Sequence, residues 1–159
     1  GIDLEWVLDE SLFLAARRPC DLIGLLEAGP QVPANRLVGL PMVLPSREHG
    51  LRIVIEAALD KVGVGLEVIA TIDASEQLKD MVRHTGCFTI LSLAAVRNDP
   101  VDSALTTARI VKPTIDRSVS IAHATGRPLS RAARHVKDIL KALLAQEMSK
   151  GWWTSAMSG

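Results

Sequence analysis

Leu40-Pro-Met-Val-Leu-Pro-Ser-Arg-Glu-His-Gly-Leu-Arg52 changes character at its midpoint. A short apolar run stops at Pro45. Polar residues from Ser46 then open a helical pattern over about 47–61, in which Leu51, Val54, Ile55, Ala58 and Val62 share one face. Gly63 and Gly65 end that helix, since residues without a side chain tolerate left-handed backbone. Leu66-Glu-Val-Ile-Ala-Thr-Ile-Asp-Ala-Ser-Glu76 repeats the event. A strand over 66–71 hands over to a helix over 75–84, with Asp73 as the expected N-cap and Glu76 at capping-box spacing. Leu78, Met81 and Val82 form its buried stripe. Two strands that each give way to a helix N-terminus leave backbone amides and the positive end of a helix dipole at one sheet edge. Such an edge suits a small anionic ligand.

Outward from these turns, Leu12 to Ala16 is an apolar pentad that reads as a buried strand. Residues 19–39, rich in proline and glycine, read as a connector with a helical turn over 21–26. Phe88 to Leu91 is a further short strand, and Asp99-Pro100 is a helix-start signal. Segments 109–112 and 118–122 flank Pro113 as strands, the second alternating polar and apolar. A last helix runs from Ser130 to about Met148, with Ala133, Val136, Ile139, Leu140, Leu143 and Leu144 expected to face a core. Strands alternating with helices define an α/β class with mostly parallel pairing. Crossings of one waist near 37–40 and 113–117 suggest two lobes. Residues 1–36 and 117–150 would form part of a first lobe, 37–116 a second lobe with the crossover strands, and 151–159 a tail.

Composition narrows the function classes. Eighteen basic residues balance eighteen acidic ones in 159, so this chain carries no electrostatic footprint for nucleic acid. Hydrophobic residues make up 48%, enough for a substantial interior. No apolar run approaches the roughly 20 residues of a membrane span, and Asp3, Glu5, Asp9 and Glu10 interrupt any signal-peptide pattern. A soluble cytoplasmic location is expected, with Cys20 and Cys87 as reduced thiols. The chain opens almost inside a strand and reads as a fragment.

His49, His84, His123 and His135 lack the i, i+4 pairing of a metal site, and no CxxC or G-x-S-x-G occurs. No cofactor, metal or catalysis is expected. The candidate ligand groups are Ser46, Arg47 and His49 at the first helix start and Asp73, Ala74 and Ser75 at the second. The same residues would also serve as ordinary helix caps, and Asp73 opposes an anion at its own position.

Leu44-Pro-Ser-Arg-Glu-His-Gly-Leu-Arg52, Ile72-Asp-Ala-Ser75, Met81-Val-Arg-His-Thr-Gly-Cys-Phe-Thr-Ile-Leu91, Ile110-Val-Lys-Pro-Thr-Ile-Asp-Arg117 and Gly126-Arg-Pro-Leu-Ser-Arg-Ala-Ala-Arg134 follow in order. Together they resemble the C-terminal effector-binding domain of LysR-type transcriptional regulators, over about residues 1–144. The resemblance implies a two-lobed, periplasmic-binding-protein-like α/β fold, with the second lobe complete and the first partial. It implies a small anionic effector held between lobes, and favours cleft lining over mere capping for the six residues above. It adds Ala16 at a strand end where relatives can offer a hydroxyl. It also implies a homodimer or homotetramer, with DNA bound only through an N-terminal winged helix-turn-helix not contained in this chain, and no membrane partner. Departures from the family pattern are Gly86-Cys87-Phe88 at its glycine-rich turn, Ser92 where a proline commonly follows Leu91, and Ala15-Ala16. A free-standing solute-binding protein of a transporter is the alternative of another class.

Overall fold

A computed structural model describes residues 1–17, 21–27, 29–97, 105–126 and 128–149. The elements are β1 (Ile2–Arg17), β2 (Gln31–Pro33), β3 (Pro41–Leu44), α1 (Gly50–Asp60), β4 (Glu67–Thr71), α2 (Ser75–His84), β5 (Thr89–Ser92), α3 (Leu93–Arg97), β6 (Leu105–Val111), β7 (Asp116–Ala124) and α4 (Arg131–Ser149). Short 3-10 turns span Ile23–Leu25 and Ala34–Leu37. The chain divides into two compact units: Gly1–Glu10 with the chain from Arg117 onward, and Ser11–Asp116.

The Ser11–Asp116 unit is built on a run of strands ordered β2-β6-β1-β5, with β3 and β4 paired in parallel. A parallel bridge between Met42 and Phe88 joins the two sets; Val43 N donates to Phe88 O at 2.8 Å and Phe88 N to Pro41 O at 2.9 Å. β1 runs antiparallel to both neighbours, with Leu14 opposite Ile90 of β5 and Ala108 of β6. Leu12, Leu14, Ala15 and Ala16 are fully buried, as an uninterrupted apolar run implies for a central strand with both faces covered. α1 buries Leu51, Ile55 and Leu59, and α2 buries Leu78 and Val82, against a core that includes Leu44, Ile90 and Ile110.

Several expectations shift. Residues 11–36 lie in this unit. β1 pairs there with β5 and β6, β2 pairs with β6, and Val32, Ala34 and Leu37 enter the core. A three-residue strand such as β2 is too short to show a period. A helix begins at Leu93, straight after β5; the helix start expected at Asp99-Pro100 lies outside the described residues, as do Cys20 and the 151–159 tail. Val62 is exposed, because Gly63 at φ +69 turns the chain away once α1 has ended.

In the unit of Gly1–Glu10 and Arg117 onward, β7 pairs with β1. Its outward alternation is regular along all nine residues. Buried Glu10 is gripped by Arg117, and one step along Ser118 hydroxyl bonds Asp9. Lys137 and Lys141 of α4 both hold Glu5, Lys137 at 2.6 Å. No residue of α4 is buried. Contrary to expectation, Val136, Ile139, Leu140 and Leu143 are 63%, 48%, 42% and 53% exposed and Ala133 is exposed, while Leu144 is half-buried. Helical spacing specifies an apolar face but not what covers it, and the described residues of this unit do not cover it.

Candidate functional site

The parallel pairing of β3 and β4 puts Leu44 opposite Thr71, and Ile72 N donates to Leu44 O at 3.1 Å. Both chains therefore leave the sheet side by side. The two strand-to-helix turns meet directly: Ser46 N donates to Asp73 Oδ1 at 2.8 Å. That bond, with a further contribution from the Ser46 side chain, holds the Asp73 carboxyl below its usual range.

This contact corrects the expected capping. Asp73 spends its oxygen on Ser46 instead of capping its own helix. Ala74 occupies the N-cap position of α2, with no side-chain cap, and Glu76 pairs with Lys79 at 2.8 Å. At α1 the cap is His49, whose Nδ1 accepts from Leu51 N at 3.2 Å. The ring hydrogen of neutral His49 is then on Nε2. Ser46 instead closes a turn, its carbonyl accepting from His49 N at 3.0 Å. The physical reason is tertiary: the turn after β3 presents the Ser46 amide as a donor to Asp73, which takes it in place of the amides at the start of its own helix.

Arg47, Ala74 and Ser75 are exposed at the same edge. Arg47 also lines a groove of about 470 Å³ with Arg52, Glu56, Asp60 and Val68. Buried Arg52 bonds Glu56 through Nε at 2.7 Å and Pro45 O through Nη1 at 3.4 Å, which ties α1 to the end of β3. Ala16 is not brought to this cluster. It is fully buried next to the last residue of β1 and pairs with Thr106.

The structure adds groups that the sequence did not single out. Register places Ser92, at the end of β5, opposite Leu12. Beside it, Ser11 hydroxyl donates to Asp116 Oδ1 at 2.6 Å and accepts from Arg109 Nη2 at 3.3 Å. Arg109 Nε is buried without a partner. These residues stand 98 and 105 positions from Ser11 in sequence, so their only local signal was a polar residue bounding an apolar strand. Among the described residues no group of three or more His, Cys, Asp or Glu is placed to hold a metal, and no helix is long and apolar enough to cross a membrane.

An α/β unit with polar groups gathered where parallel strands end is the architecture of a small-ligand-binding domain. The family model of the LysR substrate binding domain matches residues 1–145, and the chain belongs to that family. Among solved structures, it is similar to the regulatory domain of CcmR from Synechocystis PCC6803 in complex with 2-PG, with 21% identity and a TM-score of 0.77. That match covers 91% of this chain and 67% of the other. The effector-binding domain of QuiR in complex with shikimate matches with 13% identity and a TM-score of 0.74, over 91% and 66%. Full-length CbnR complexed with its target DNA matches with 17% identity and a TM-score of 0.69, over 89% and 46%. The chain thus spans about half the length of that full-length regulator. No curated protein matches it. At these identities the likeness fixes the fold, and the α/β class with its similarity to two-lobed regulatory domains is the one expected from the sequence.

Proposed function

We propose that this chain is the effector-sensing and oligomerising part of a cytoplasmic LysR-type transcriptional regulator and not an enzyme. Its effector is a small metabolite received at the edge formed by Ser46, Arg47, His49, Asp73, Ala74 and Ser75. The observation that supports this most directly is the Ser46–Asp73 bond, which joins both strand-to-helix turns into one polar ledge within a domain of this family. CcmR and QuiR, each seen with a small ligand, support the ligand class. The effector favours one conformation and shifts its population, and a separate winged helix-turn-helix reads DNA within a homodimer or homotetramer. None of the similar structures named above is a transporter component, which leaves the solute-binding alternative without support.

A thermal-shift screen of the whole protein against small carboxylates, amino acids and oxyanions tests this reading. A ligand at a hundred times its dissociation constant stabilises by about 2.7 kcal/mol. A hit weakened by Ser75→Ala supports the ledge as the site. A folded protein that responds to nothing, or turnover of a screened compound abolished by Ser46→Ala, overturns the proposal.

A further inference from the structure

We propose that Asp73 sets the chemistry of the effector: the part that reaches the β3–β4 edge carries a hydrogen-bond donor, an alcohol hydroxyl or an ammonium, and not an acid group. The inference rests on the reading of this edge as the effector site, and it reverses the anionic preference that two helix starts imply.

Two amides of the strand-to-helix turn after β3 are already engaged. Ser46 N is held by Asp73 Oδ1 at 2.8 Å, and Leu51 N by His49 Nδ1 at 3.2 Å. What the turn presents outward is therefore an ionised carboxylate, an acceptor with about four lone-pair sites, of which the Ser46 amide uses one. Asp73 is exposed, so the remaining sites face incoming molecules. A carboxylate or phosphate arriving there meets like charge, and the Ser46 amide is already engaged. A hydroxyl or ammonium meets a charged acceptor already held in direction by its bond from the Ser46 amide.

The test uses the whole protein and matched pairs of probes that differ by one donor: lactate and propionate, alanine and propionate, shikimate and benzoate, with inorganic phosphate alongside. Affinity and the Ser46 amide resonance are read for wild type, Asp73→Ala and Asp73→Asn. The expected result is binding of a donor-bearing member but not its partner, with a shift of the Ser46 amide. Asp73→Ala weakens that binding about tenfold or more, the range for losing a hydrogen bond to a charged group, and Asp73→Asn weakens it less. Phosphate or a donor-free carboxylate that binds wild type and shifts the Ser46 amide overturns the inference. So does a donor-bearing ligand indifferent to Asp73→Ala but weakened by Ser75→Ala; both results leave the effector-sensing reading standing. Silence from every probe counts against that reading, and this inference falls with it. Amide spectra of the two variants that overlay wild type away from the ledge show that the fold is kept.

Discussion

Removing Arg117 destabilises the protein far more than neutralising its partner. Glu10 is 4% exposed, whereas the Arg117 side chain is 34% exposed. Arg117→Ala therefore strands a carboxylate away from water. Breaking a buried pair from one side costs about 3–5 kcal/mol, and partial exposure of the guanidinium places this pair near the lower end, about 3 kcal/mol. Glu10→Gln leaves the opposite residue: a guanidinium with a third of its surface already in water, facing an amide oxygen that still accepts a hydrogen bond. That change costs about 1 kcal/mol, the net value of an ordinary hydrogen bond. Urea unfolding at neutral pH reads both through the midpoint, with an unchanged m-value marking an effect on stability alone. In a thermal scan of a protein this size, about 3 kcal/mol corresponds to roughly 6–12 °C. Equal losses for the two variants, or a loss below about 1 kcal/mol for Arg117→Ala, would refute the burial argument.

Glu5 is lowered from 4.5 to about 2, first by its hydrogen bond from Lys137 and then by that from Lys141. Its folded value lies below its unfolded one, so its contribution is complete above about pH 4.5 and is lost as pH falls from there through about 2. Glu5→Gln should remove this component of acid sensitivity and loosen α4, measured by helix signal against pH; identical acid profiles would count against it. His49→Ala removes the α1 cap and should cost about 0.5–1 kcal/mol, the low end for caps because the bond is long at 3.2 Å. His49→Asp should restore the loss in the same unfolding assay, and no recovery would show that the ring matters for something other than capping.

The two turns were legible because their signals are local. An apolar run, a proline, polar residues and then helical spacing placed β3 with α1 and β4 with α2 to within a few residues, and α2 was read over the range it occupies. Its role assignments fared worse. Asp73 has the type and spacing of an N-cap, yet its oxygen lies against Ser46, 27 residues away. Ala16 was marked by resemblance to a strand-end position, and it lies next to the last residue of β1, fully buried opposite Thr106. α4 shows how a correct helix carries a wrong environment: its stripe was read as core and is largely exposed.

What the sequence by itself determined is the α/β class, the order of its main elements and the family. The class and the element order follow from apolar period, breaker residues and caps, which act over a few neighbouring residues; the family follows from the ordered motifs that resemble it. Only the tertiary structure decided that Asp73 occupies the Ser46 amide, that Glu10 pairs with Arg117, and that Arg109, Ser11 and Asp116 form one chain of hydrogen bonds. Those outcomes depend on which strand ends come to lie beside one another. A charged side chain goes to the strongest free partner within reach, and reach is set by sheet register rather than by distance along the chain.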